Sequence, residues 1–329
     1  MQIAALVAQA REGRIRAVAR LISLVESAVP GDPVSREVSA EVTAALPAEA
    51  DRCRVIGLTG APGVGKSTLT SALIAALRAR DRRVAVLAFD PSSPFSGGAL
   101  LGDRIRMREH ALDPGVYVRS MASRGHLGGL SVAAPQALRV LTVAGFDDVL
   151  VETVGVGQSE VEIAARVDST VVLLAPGAGD ELQAAKAGVL EIGDLFVLNK
   201  ADRDGADAAV RDLEHMIRLG GPRGPGEWRQ PVLRCIGVTG TGVVELLAAL
   251  DAHHDWALRS GALHRRRARR AVLEVETIAL AVLQQRIDRL WARTPPDHAA
   301  EGPVRGGPGA DGAACDPYVA ADRLLAELK

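Results

Sequence analysis

The sequence predicts an α/β fold: a mainly parallel central sheet with helices on both faces, extended by helical segments at its N- and C-terminal ends. Three observations carry this. From Arg54 onward, short apolar runs alternate with helical stretches, the order expected of parallel strands joined by right-handed crossovers. Several runs, such as Val149-Leu150-Val151 and Val171-Val172-Leu173-Leu174, are continuously aliphatic, as strands are when helices cover both faces. A glycine-rich turn, Gly60 to Gly65, separates the first run from the first helical stretch.

In chain order, 1–46 reads as one or two amphipathic helices, broken where Pro30-Gly31-Asp32-Pro33 cannot continue a helix. Strands are expected at 54–58, 84–89, 116–119, 148–151, 170–174, 195–198 and 232–236. Helices are expected at 66–80, 135–143, 181–191, 204–218 and 242–257, followed by a long helical stretch from Ala262 to Arg293. Thr294 to Ala314, rich in Pro, Gly and Ala, has the composition of a disordered linker, and Asp316 to Lys329 that of a short final helix. The organisation predicted is an N-terminal helical extension at 1–50, a central α/β domain at 51–258 and a C-terminal helical arm at 259–329, with the linker at about 294–315.

Bulk properties exclude several classes. With 39 Lys and Arg against 40 Asp and Glu, a net charge of −1 offers no electrostatic case for binding nucleic acid or an anionic membrane. No apolar run reaches the roughly 18 residues of a membrane span. Met1 to Arg20 lacks the uninterrupted apolar core of a signal peptide. Cys53, Cys235 and Cys315 lie far apart with no CxxC, which fits a reducing cytoplasm and no thiolate metal site.

The chemistry begins at the glycine-rich turn. Gly60-Ala61-Pro62-Gly63-Val64-Gly65-Lys66-Ser67-Thr68 has the pattern GxxxxGKS between a strand and a helix, the signature of a phosphate-binding P-loop. Its glycines let the backbone turn N–H donors inward without Cβ clashes. The following helix adds the partial positive charge of its N-terminus. Lys66 can reach the β- and γ-phosphates, and the Ser67 hydroxyl can ligate Mg²⁺. A P-loop NTPase fold follows.

Base choice is read from Asn199-Lys200-Ala201-Asp202 at the end of a strand. A carboxylate at Asp202 can accept both the N1–H and the exocyclic amine of guanine; opposite adenine it would be left unpaired. Asn199 can bridge the base edge and the P-loop, and the Lys200 stem can cover the ring. The bland alternative makes Asp202 a helix N-cap. In the loop Cys235 to Gly242, the Gly237 amide is placed to meet the guanine O6.

Two further segments carry acids. Asp90-Pro91-Ser92-Ser93-Pro94 and Leu101-Gly102-Asp103-Arg104 can bring Asp90 and Asp103 to Mg²⁺, directly or through water. Asp90 also suits an Asp-Pro turn, and Asp103 a helix N-cap. Glu152, after an apolar strand, stands where a Walker-B acid belongs, and the Gly155 amide can meet the γ-phosphate and sense its loss. No Gln or His directly follows Gly155 to orient the attacking water, which implies slow intrinsic hydrolysis of GTP, raised when a partner orders a switch.

Together with the P-loop, Asp90-Pro-Ser-Ser-Pro, Leu101-Gly-Asp-Arg-Ile-Arg-Met, Met121-Ala-Ser-Arg-Gly-His-Leu-Gly-Gly-Leu and Val151-Glu-Thr-Val-Gly-Val-Gly-Gln-Ser-Glu follow one pattern in order. Pro176-Gly-Ala-Gly-Asp-Glu-Leu-Gln-Ala-Ala-Lys-Ala-Gly and Asn199-Lys-Ala-Asp complete it. Over residues 5 to about 293 the sequence resembles the MeaB/ArgK family of SIMIBI-class GTPases, which accompany adenosylcobalamin-dependent methylmalonyl-CoA mutase. The resemblance implies a homodimer joined through the C-terminal helical arm, and a partner mutase whose cobalamin loading or protection is gated by GTP. It also implies a third switch at 177–188, in which Gln183 and Lys186 face the nucleotide or the partner. Lys186 and Arg104 are candidates for the missing transition-state charge. Ile236-Gly237 departs from the family's usual Ser-Ala, a change that backbone contacts tolerate. Older names of the family speak of arginine or ornithine transport kinases; nothing in the sequence supports transport.

Other features read as bland. His264-Arg-Arg-Arg-Ala-Arg-Arg270, with no aromatics interleaved, suits a solvated face or salt bridges better than nucleic acid. Adjacent His253 and His254 do not share a helix face and so make a poor metal pair. His126 is the exception: it lies among glycines in a loop placed to touch a switch, with no role assigned. Two other functions were weighed against the mutase chaperone. A GTP-dependent metallochaperone predicts Cys/His clusters that do not occur near the P-loop. A small-molecule kinase predicts ATP in place of GTP.

Overall fold

The computed structural model describes residues 2–28, 31–47, 52–91, 107–123, 133–153, 164–177, 189–219, 224, 226–292 and a few positions near the C-terminus. By contact density these fall into two units, Met1–Val272 and Leu273–Lys329.

The elements run α1 (Ile3–Arg11), α2 (Ile15–Ser27), α3 (Pro33–Ala44), β1 (Arg54–Thr59), α4 (Lys66–Arg78), β2 (Val84–Pro91), a 3₁₀ turn (Arg108–His110), β3 (Val116–Ser123), α5 (Ala133–Val143), β4 (Asp148–Thr153), β5 (Ser169–Leu174), α6 (Val189–Ile192), β6 (Leu195–Leu198), α7 (Ala206–Leu219), β7 (Val232–Arg234), α8 (Val243–Arg259) and α9 (Ala262–Ala292). The strands form one sheet in the order β3-β2-β4-β1-β5-β6-β7, every pair parallel. The aliphatic runs β1, β4, β5 and β6 are buried along their whole length, as two covered faces require. In such open sheets, ligands bind beyond the carboxyl ends of the strands where the winding reverses. Here the chain reverses across β1, which stands between β4 and β5.

One face packs α4 and α8 on Ile56, Leu58, Val86, Leu150 and Val171. The other packs α5 together with the N-terminal helices, through Val7, Val18, Leu21, Ile22 and Val38, on Leu87, Val149 and Val151. A smaller cluster seats Val210 and Leu213 of α7 on Phe196 and Leu198. The N-terminal segment contains three helices where one or two were expected. Gly13 takes φ +77° and closes the end of α1 with a 2.9 Å bond from its amide to the Ala10 carbonyl. The second break is the expected one: Pro33 opens α3, and the Asp32 carboxylate caps it by accepting from the Ser35 amide at 2.6 Å. Among the described residues, no helix is long and apolar enough to cross a membrane.

Candidate functional site

The site is built at the carboxyl end of β1. Beyond Thr59 the chain turns through Gly60 at φ +145°, Gly63 at φ +83° and Gly65 at φ +95°, the last being the N-cap of α4. Two of these glycines answer to neighbours as well as to torsion. A Cβ on Gly60 would stand 2.3 Å from the Leu173 carbonyl oxygen, and one on Gly65 would stand 2.4 Å from Asn199 Nδ2. Ala61, Pro62 and Val64 complete the loop, and Thr68 follows in the first turn of α4.

Lys66 is buried, and its ammonium donates to the loop's own carbonyls, Gly60 O at 2.6 Å and Ala61 O at 3.0 Å. It therefore rests over the loop where anionic oxygens would compete for it. Ser67 Oγ donates to Glu152 Oε1 at 2.7 Å. The second Glu152 oxygen lies 3.2 Å from Thr70 Oγ1, which is also 3.0 Å from the Lys66 carbonyl. Glu152 is itself buried at the end of β4, paired in register with Leu58. A hydroxyl and a carboxylate meeting at the first turn of a helix form a hard-oxygen donor set, the kind that suits Mg²⁺. Thr70 was not read from the sequence; its signal was helical spacing, since it lies one turn on from Ser67.

The base-reading segment is tied directly to this loop. Asn199 is buried; its Nδ2 donates to the Val64 carbonyl at 2.8 Å, and its Oδ1 accepts from the Gly237 amide at 2.9 Å. One side chain thus joins the P-loop, the end of β6 and the loop after β7. The Gly237 amide, expected to point at guanine O6, is paired with Asn199 in this arrangement. Its neighbourhood is tight: a Cβ there would come 3.3 Å from the Leu69 amide nitrogen. Lys200 adopts φ +56° and places Nζ 2.6 Å from the Gly63 carbonyl, laying its stem beside the loop. Asp202 is exposed, four residues before α7 begins at Ala206.

Asp90 is described only as backbone, at the end of β2, where it pairs with Ala122. Asp103, Arg104, His126, Gly155, Gln183, Lys186, most of the expected helix at 181–191 and the linker after Thr294 lie outside the described residues.

The basic run and the adjacent histidines, bland in sequence, have partners in the fold. Arg266 pairs with Asp194 at 2.5 and 2.7 Å, and Arg267 and Arg270 pair with Asp168 at 2.7 and 3.4 Å, so the basic run serves intrachain ion pairs. His253 is wholly buried, with Nδ1 2.7 Å from Ser169 Oγ and Nε2 3.3 Å from Asp194 Oδ1, between Trp228 and Trp256. Burial alone would raise the Asp194 pKa, but Arg266 and His253 outweigh it and hold it down at about 2. Burial pushes the thiols of Cys53 and Cys235 up to about 11 and about 12, leaving both unreactive.

A parallel sheet wound in two directions about a P-loop strand, with an Asn-Lys-Ala-Asp run pinned to that loop, defines a P-loop nucleotide-binding protein with a guanine-type base segment. The chain belongs to the MeaB family: the family model described as "Methylmalonyl Co-A mutase-associated GTPase MeaB" matches residues 18–292. A protein of Pyrococcus abyssi named as a GTPase is 40% identical over 324 residues, covering 98% of this chain and 96% of the relative. The GTPase ArgK of Escherichia coli is 35% identical over 296 residues, covering 86% of this chain and 87% of the relative. Among solved structures, one titled LAO/AO transport system kinase aligns with a TM-score of 0.67 at 26% identity, over 99% of this chain and 97% of that one.

Proposed function

We propose that this GTPase couples GTP binding and hydrolysis to cofactor loading or protection in an adenosylcobalamin-dependent acyl-CoA mutase, with methylmalonyl-CoA mutase as the first client to test. The observation that carries the nucleotide part is the Asn199 bridge, which makes the phosphate loop and the base segment one hydrogen-bonded unit. The client comes from the family's description, which names an association with that mutase.

In this reading the amides of 60–68 and of Gly155 cradle the phosphates, and Lys66 moves from the Gly60 and Ala61 carbonyls to the β- and γ-oxygens. Asp202, Asn199, Lys200 and Gly237 hold guanine. Ser67 and Glu152, with Asp90 and Asp103, hold Mg²⁺, which when bound neutralises charge developing on the transferred phosphoryl group. The loop amides supply preorganised stabilisation, to which Lys66 adds its charge once it has moved. Turnover is slow in the isolated chain and rises on the partner, with Lys186 or Arg104 adding positive charge. The 259–329 arm joins two copies into a homodimer that presents paired GTPase domains to the mutase.

The test is GTP turnover by the full chain, alone and with the host's adenosylcobalamin-dependent mutase, with ATP as control. Stimulation by the mutase with GTP alone supports the proposal. Preference for ATP overturns the guanine assignment, and GTP turnover indifferent to every such mutase overturns the client.

A further inference from the structure

The chain that carries Asp103 and Arg104 re-enters the described fold at Met107, which is buried in the core beneath α4 with Leu69, Leu73 and Val116. Three residues on, it meets α4 again. Ser71 Oγ donates to the Glu109 carboxylate and stands 2.8 Å from His110 Nε2, which is also 3.2 Å from the Ser71 carbonyl oxygen. The proton positions follow from valence. The Ser71 hydroxyl has one proton, engaged by Glu109, and a carbonyl only accepts. His110 Nε2 is therefore the donor in both of its contacts and carries a proton.

Ser71 lies one turn of α4 beyond Ser67, about 6 Å along the axis, so both hydroxyls face the same side of the helix. Ser67 holds Glu152; Ser71 holds His110. A second tie joins the same segment to the far end of α4, where Arg78 Nε donates to Asp113 at 2.9 Å. The two ties differ in place. The first is one turn from the candidate metal oxygens; the second is roughly 10 Å further along the helix.

We infer that His110 is a positioning residue for GTP hydrolysis, acting through Ser71 to hold the segment from Met107 to Asp113 against the helix carrying Lys66 and Ser67. The inference rests on the reading of this site as the GTPase centre. His110 touches no reacting atom; its effect is on geometry. It should therefore show in the hydrolysis step more than in ground-state nucleotide affinity.

The experiment measures single-turnover GTP hydrolysis, GDP affinity and Tm for the full chain and for His110→Ala, His110→Gln and Asp113→Asn. His110→Ala is expected to hydrolyse about fivefold more slowly, the size of one net hydrogen bond, with GDP affinity unchanged. His110→Gln, which keeps an N–H donor, should recover most of the rate. Asp113→Asn, which cuts the remote tie, should hydrolyse like the wild type. Should His110→Ala not fold, Ser71→Ala removes the hydroxyl contact from the other side, keeping the one to the Ser71 carbonyl, and is expected to slow hydrolysis in the same direction. The inference is overturned if His110→Ala matches the wild-type rate, if GDP affinity falls as far as the rate, or if Gln does no better than Ala. A wild-type chain that turns over no GTP overturns the reading of the site itself, which separates the two failures.

Discussion

Replacing Asn199 by Ala removes a side chain that bridges three segments. Two bonds go, to the Val64 carbonyl at 2.8 Å and from the Gly237 amide at 2.9 Å, and both backbone partners stay in a buried setting. Each bond contributes about 1 kcal/mol net, and an unpaired buried partner raises that to about 1–3 kcal/mol. The expected loss is thus roughly 2–6 kcal/mol, shared between the stability of the free protein and the preorganisation of its P-loop. Guanidinium unfolding followed by circular dichroism should show a lower midpoint at unchanged slope. Calorimetric titration should show GDP affinity reduced about tenfold or more, since about 1.4 kcal/mol corresponds to a factor of ten. Asn199→Asp sharpens the test. Its carboxylate still accepts from Gly237 but faces the Val64 carbonyl with a second acceptor, so it should bind no better than the Ala variant. An Asn199→Ala protein that keeps its unfolding midpoint and binds GDP within about threefold of wild type would refute the bridging argument.

Two further outcomes follow from the same geometry. Gly60→Ala puts a Cβ 2.3 Å from the Leu173 carbonyl, whereas a Cβ at Gly63 meets nothing within 4 Å. The first should therefore cost roughly 3 kcal/mol or more and the second only the left-handed backbone penalty of about 1 kcal/mol; equal unfolding midpoints would contradict this. Asp194 has its folded pKa lowered to about 2 from the ordinary 3.8, so its stabilisation is complete above about pH 5 and is lost as pH falls towards 2. Of the stability gap between wild type and Asp194→Asn near pH 6, roughly 2 kcal/mol should disappear across that window in denaturant titrations; a gap constant from pH 6 to 2 would exclude the ion pair as its source.

Most of the fold was legible because its signals are local. The aliphatic runs of β4 and β5 and the glycine pattern before Lys66 are properties of consecutive residues, and their helical and strand positions follow within a few residues. Strand order was not legible in that way, since it depends on which runs pair across the sheet. The site divides along the same line. Lys66, Ser67 and Glu152 sit in motifs and were named at once. Thr70, Ser71 and His110 became visible only when α4 brought together residues separated by up to 82 positions. His253 differs: beside His254 it reads in sequence only as a poor metal pair, and its partners, Ser169 and Asp194, come from distant parts of the chain.

The two ends of the sheet are held by different physics, and the difference bears on how a nucleotide can act. At the amino ends of the strands, three buried carboxylates take up backbone and guanidinium donors together. Asp148 pairs with Arg54 and Arg82; Asp168 accepts from the Val55 amide and pairs with Arg267 and Arg270; Asp194 accepts from the Thr170 amide and pairs with Arg266. Removing one member of such a set strands the others as buried charge, a loss of about 3–5 kcal/mol, so this end resists rearrangement. At the carboxyl ends the contacts are single hydrogen bonds, many from a hydroxyl or an amide: Ser67 to Glu152, Asn199 to Val64, Ser71 to its two partners. Each is worth about 1–3 kcal/mol, and those of Ser67 and Lys66 beside the loop can be exchanged for bonds to a ligand at little net cost. A chain built this way can let its nucleotide end trade partners while the strands beneath stay in register, which is the mechanical requirement of a nucleotide-dependent switch.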